Sequence, residues 1–169
     1  MTVEQLARAL ADHLTLTRPL VCVDLEATGL WPGVDRIVQI ATAKVFPDGT
    51  VSTWASLVNP ERPIPAETTA IHGITDTMAA DAPTFLQLAP TIDPILAGSD
   101  LTGYNVERFD RRLLAAEFRR AELEDPTAGA RVVDAYTIFL RQEPRSLDAA
   151  LRFYDIEDGL ATRKPHDAS

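Results

Sequence analysis

The chain has 169 residues, 46% hydrophobic and 24% charged, the make-up of one ordinary folded domain, which excludes a disordered chain, a collagen-like repeat and a disulfide scaffold. Its 16 basic residues face 25 acidic ones, a net charge of −9; this argues against a generic electrostatic binder of nucleic acid, but not against a metal-dependent nuclease, whose cations reverse the local sign. No apolar run approaches the ~20 residues of a membrane span and no basic-then-apolar leader is visible, so a cytoplasmic protein without membrane association is expected.

Residues 2–14 read as an amphipathic helix. Val3, Leu6, Ala7, Leu10, Ala11 and Leu14 recur at helical spacing, and Thr2 with Gln5 fits a capping box. Pro19 ends that segment, and Leu20 to Glu26 reads as a buried strand that leaves through Thr28-Gly29. The single cysteine, Cys22, lies in this run and reads as a small buried hydrophobe in a reduced compartment. Residues 36–46 and 51–58 predict two further strands joined by the hairpin signal Pro47-Asp48-Gly49. The stretch Asn59–Ala70, with Pro60, Pro63 and Pro65, predicts a surface loop. Residues 84–97 read as helical, although Pro90 and Pro94 argue against continuity. Leu101–Tyr104 and Arg131–Asp134 are short strands, Val106–Leu123 is the clearest helix, and helices are expected over 135–141 and 146–154. The order predicts an α/β fold with a mixed five-stranded sheet, three antiparallel strands followed by two parallel additions, flanked by helices.

Asp24 and Glu26 stand two apart in a strand, so both project from one face about 6.5 Å apart. A carboxylate pair on an apolar strand is either a strand end reaching solvent or a site for a cation. On helix 106–123 the 100° step puts Asp110 in the apolar stripe with Val106, Leu113, Leu114 and Ala121, where a carboxylate needs a partner. The competing reading is a favourable acid near the helix start, though four residues in is late for a cap. Glu117 falls on the same stripe, where it either reaches solvent or pairs with an arginine. His166, in Lys164-Pro165-His166-Asp167-Ala168, would alone be a solvated histidine.

Together these pieces resemble the DEDDh 3′–5′ exonucleases, the group that includes the proofreading epsilon subunit of bacterial DNA polymerase III. The first motif is Val23-Asp24-Leu25-Glu26-Ala27-Thr28-Gly29-Leu30, followed by Asp35-Arg36-Ile37-Val38-Gln39-Ile40. Asn59-Pro60 through Ile64-Pro65, Ile71-His72-Gly73-Ile74-Thr75 and Ala82-Pro83-Thr84-Phe85 are similar to the family's next stretch. The second motif is Gly103-Tyr104-Asn105-Val106-Glu107-Arg108-Phe109-Asp110. Val133-Asp134-Ala135 and Ser146-Leu147-Asp148 also match. The third, H-x-A-x-x-D, begins at His166-Asp167-Ala168, and its acid would lie two positions beyond Ser169.

The resemblance implies a ribonuclease H-like fold. An exonuclease domain would span 19–169, apparently cut short within the third motif, with the helix of 1–18 packed on it. It implies hydrolysis of the 3′-terminal phosphodiester of DNA or RNA to 5′-mononucleotides with two divalent ions, Mg²⁺ or Mn²⁺. Asp24, Glu26 and Asp110 would be metal ligands, with Asp24 bridging both ions, and His166 the general base. Thr28, Gly29, Leu30, His72, Asn105 and Phe109 would meet the substrate. Core packing is the competing reading for Phe109, and a helix cap for Asn105 can hold alongside its role. The implied partners are a single-stranded 3′ end and, for a proofreader, a DNA polymerase. The alternative is a non-catalytic nucleic-acid-binding or scaffold module that keeps the fold.

Overall fold

The computed structural model describes residues 15–142. The expected helices over 2–14 and 146–154, and His166, lie outside them. The chain divides into one compact unit of residues 1–135 and a second of 136–169; of the latter, the described part belongs to the helix Ala135–Gln142.

The first unit is built on a mixed sheet in the order β3-β2-β1-β4-β5. β1 (Leu20–Ala27), β2 (Ile37–Val45) and β3 (Val51–Leu57) form an antiparallel meander, and β4 (Asp100–Gly103) and β5 (Val132–Asp134) add in parallel beside β1. The expected arrangement of three antiparallel and two parallel strands is the observed one. The helices are α1 (Ala66–His72), α2 (Asp76–Ala79), α3 (Phe85–Leu96), α4 (Asp110–Arg120) and α5 (Ala135–Gln142).

Strand periodicity sorts β1 into two faces. Val21, Val23 and Leu25 are buried, whereas Cys22 and Asp24 are exposed and Glu26 is half-buried. The buried face packs with Ile40 and Leu101 against Phe85, Ala89, Ile92 and Leu96 of α3 and Leu113, Leu114 and Phe118 of α4. Phe85 and Phe118 meet edge to face with centroids 5.0 Å apart, a favoured aromatic geometry. Cys22 is therefore not the buried hydrophobe its apolar neighbours suggest: it shares the outward face with Asp24. β2 slips register opposite Glu26 and Ala27, so that Gln39 faces Glu26 and Ile37 faces Ala27. Such an irregularity at the end of a strand re-aims the side chains around it.

Two helical elements depart from expectation, and the helix expected over 84–97 forms despite its prolines. α3 runs unbroken through Pro90 and Pro94. Both prolines are exposed, on the side of the helix where water can replace the hydrogen bonds they remove. A capping box between Thr84 and Gln87 secures its start, and Lys44 Nζ donates to the carbonyls of Pro94 and Ile95 at its end. The polar stretch 59–70 is not all loop, because α1 begins at Ala66 behind Pro65. α4 starts at Asp110, not Val106. Residues 106–109 form turns behind Asn105, whose φ is 62°. Asp110 is consequently the first helical residue rather than one a turn inside.

Glu117 pairs with arginine and does not reach solvent. At 1% exposure it accepts from Arg36 Nε at 2.8 Å and from the Ile37 amide at 3.2 Å, and Arg120 Nη1 lies 3.2 Å away. It thereby ties α4 to the first residues of β2. Glu117→Ala strands both arginines and the Ile37 N–H; because the arginines retain some water access, a loss of about 2–3 kcal/mol is expected in urea unfolding.

Candidate active site

β1 presents Asp24 and Glu26 on the side of the sheet away from the α3–α4 core. Asp24 lines a shallow depression of about 350 Å³ with Cys22, Trp54 and the small side chains of Ala41, Ala43 and Ala55. Directly across the ladder Asp24 faces Ala41, so its partner on β2 leaves the carboxylate uncovered.

Asp110 reaches the same strand from the start of α4. Its Oδ1 accepts the Leu25 amide at 3.1 Å, across 85 residues of sequence, so this carboxylate docks on the peptide between Asp24 and Glu26. The bond exists because β4 pairs with β1 only as far as Cys22–Thr102, leaving the next length of β1 without a ladder partner on that side. Asp110 is 6% exposed. Burial foremost, then the negative charges of Asp24 and Asp134, push its carboxyl up to about 7, against the opposing hydrogen bonds from its own and the Leu25 backbone. The Cys22 thiol is raised as well, by desolvation against the sheet and then by Asp24 and Asp110, even though the residue as a whole is exposed. Acidic charge is thus gathered around the middle of β1.

Two acids assigned no role from the sequence hold the surrounding loops. Asp134, at the end of β5, accepts the amides of Asn105 at 2.9 Å and Glu107 at 3.3 Å. That clamp keeps Asn105 in its left-handed conformation and sets where α4 begins. Asn105 Oδ1 is buried with no hydrogen-bond partner among the described residues, and the cap position of α4 belongs to Phe109, not Asn105. Asp35 organises the loop after β1: its carboxylate accepts Thr28 Oγ1 at 3.0 Å and the Trp31 amide at 2.8 Å. Gly29 passes so close that an added Cβ would lie 2.5 Å from Asp35 Oδ2, which is why a side chain is excluded there. The available sequence signal was position, an acid closing a Pro-Gly turn in one case and an acid ending a short apolar strand in the other.

The remaining expected substrate residues are dispersed in character. Thr28 is buried and committed to Asp35, while Leu30 stands 78% exposed. Phe109 is half-buried against the main core. His72 closes α1, and its Nδ1 accepts the Ile74 amide at 3.0 Å; that local contact does not join it to Asp24, Glu26 or Asp110.

A family model described as Exonuclease matches residues 21–168. The chain belongs to this exonuclease family. A DNA polymerase III subunit epsilon-like protein of Rhodobacter capsulatus is 37% identical over 153 residues, covering 85% of this exonuclease chain and 20% of that protein. A DNA polymerase III subunit epsilon of Treponema pallidum is 28% identical over 167 residues, covering 95% of the chain and 72% of that protein. The chain therefore spans about a fifth of the first relative. A product-bound structure of exonuclease I superposes with a TM-score of 0.66 at 22% identity, over 79% of this chain and 36% of the other. The metal-free Escherichia coli exonuclease I–single-stranded DNA complex gives 0.65 at 21%, over 73% and 29%. At such identities the likeness concerns the fold, which is ribonuclease H-like. No helix among the described residues is long and apolar enough to cross a membrane.

Proposed function

We propose that this exonuclease removes 5′-mononucleotides from the 3′ end of single-stranded DNA in a reaction that needs Mg²⁺ or Mn²⁺. The observation that carries the reading is the docking of the Asp110 carboxylate on the Leu25 amide, between Asp24 and Glu26. The donor set suits hard divalent ions, because it is all carboxylate oxygen. A buried acid held near neutrality beside a second acid is a site whose charge lacks a counter-ion. Among the described residues no group of three or more His, Cys, Asp or Glu side chains is placed to hold a metal ion by itself, so in this reading Asp24, Glu26 and Asp110 would hold the ions only together with water, phosphate oxygens and further ligands. Bound in a pair, such ions supply an activated water and stabilise the departing 3′ oxygen.

The chain's own residues do the rest. Asp24 and Glu26 are fixed by β1, and Asp110 by its bond to Leu25. Asp134 holds the turn that delivers Asp110. His166, by its motif position, takes the proton from the attacking water, a role that suits an imidazole at neutral pH. Thr28, Gly29 and Leu30 border the terminal nucleotide, with Asn105 nearby on the turn before α4. The names of the relatives support a DNA polymerase as the partner.

The test is nucleotide release from a 5′-labelled oligonucleotide, comparing single-stranded DNA, blunt duplex and RNA with Mn²⁺ and with chelator. Stepwise shortening from the 3′ end is expected on single-stranded DNA, abolished by chelator. Binding of the same oligonucleotide without shortening under any metal would instead identify a non-catalytic module.

A further inference from the structure

The loop after β1 is unusual in combining a fixed backbone with bare apolar side chains. Leu30 is 78% exposed and Trp31 75%. Yet the backbone of Trp31 is held on both sides. Its amide donates to Asp35 Oδ2 at 2.8 Å, and its carbonyl accepts from Val34 N at 2.8 Å and Asp35 N at 2.7 Å. Arg120 from α4 donates to the Pro32 carbonyl and Arg62 to the Val34 carbonyl, each at 2.8 Å. An indole left in water on an anchored loop costs little order to engage a flat ligand.

We infer that Trp31 is a stacking platform for an unpaired nucleobase of the single strand entering the site, and so a substrate-binding and specificity residue. The inference deepens the exonuclease reading above and rests on it. Trp31 follows Glu26 by five positions, and the loop begins where β1 ends. A chain with a net charge of −9 gains little from general attraction to phosphates, whereas stacking on an aromatic face is independent of protein charge and accepts any base. A paired base offers no free face, so this contact favours single strands over duplex.

The experiment uses the full chain with oligodeoxythymidylate as the probe. The protein has two tryptophans; the second, Trp54, lines the depression beside Asp24, so the signal of Trp31 is read in a Trp54→Phe background, where it is the one indole. In chelator, where nothing is cleaved, the probe should quench Trp54→Phe, whose emission is that of Trp31 alone. In turnover with Mn²⁺, Trp31→Ala should raise KM about ten- to a hundredfold with kcat little changed, and Trp31→Phe should restore KM to near wild type. A merely structural tryptophan would lower kcat and the thermal midpoint together, without the rescue, and that result overturns the inference. Unchanged KM in an active Trp31→Ala, or no quenching, also overturns it and leaves the patch to a protein partner. Quenching of Trp54→Phe where the wild-type protein releases no nucleotide upholds the platform while refuting the catalytic reading.

Discussion

Asp24→Ala is expected to cut nucleotide release by at least about a thousandfold, since under the proposed mechanism it would remove a carboxylate holding the divalent ions at the reacting phosphate. The fold should be indifferent. Asp24 is exposed on the outward face of β1 and lines an open depression there, and surface substitutions of this kind usually shift stability by no more than about 0.5 kcal/mol. The substitution also removes one of the charges that raise Asp110, so the residual site is less crowded, not less folded. The measurement pairs initial rates under saturating Mn²⁺ with a thermal melt. Asp48→Ala, in the hairpin turn where the carboxylate bonds Thr50, is the control and should retain full rate. An Asp24→Ala protein as fast as wild type would move the active centre away from β1.

Much of the scaffold is legible because it follows local rules. The β2–β3 hairpin announces itself in Pro47-Asp48-Gly49, and the pairing from Gln39–Leu57 to Val45–Val51 follows from it. The projection of Asp24 and Glu26 from one face follows from a period of two. The same period, applied strictly, would have put Cys22 beside them; its run of apolar neighbours disguised an alternating strand as a fully buried one. The start of α4 escapes local reading for another reason. An apolar stripe continues back to Val106, which is indeed buried, but the carboxylate of Asp134, from a strand later in the chain, holds the Asn105 turn and prevents the helix from extending there. Pro90 and Pro94 mislead in the opposite sense, because both lie on the exposed side of α3, where water can stand in for the lost helix hydrogen bonds. The proposed site is visible in the sequence only as a set of residue types, while the Leu25–Asp110 bond and the Asp35 clamp are tertiary facts that no window of sequence contains.

The stored charge at Asp110 leads to the second large effect, on stability. In the unfolded chain this carboxyl ionises near 3.9, and in the fold burial beside Asp24 raises it to about 7. Between those values the folded protein holds a proton that the unfolded chain has released, so stability falls as pH rises from about 4 to about 7 and levels off above. Three pH units correspond to about 4 kcal/mol, carried by the metal-free protein at pH 8. An Asp110→Asn substitution keeps a side-chain oxygen to accept the Leu25 amide without the charge. In chelator, Asp110→Asn should therefore be more stable than wild type by up to about 4 kcal/mol at pH 8 but by only about 1–2 kcal/mol at pH 5. Urea unfolding at the two pH values reads this directly. Added Mn²⁺ should reverse the order, stabilising wild type through binding while leaving the variant nearly unmoved, and nucleotide release by the variant should be lost. Such a residue lowers the stability of the empty protein for the sake of the site it serves. A variant that melts below wild type at pH 8 in chelator, or a gain that ignores pH, would show that the acid is held by something other than burial and its acidic neighbours.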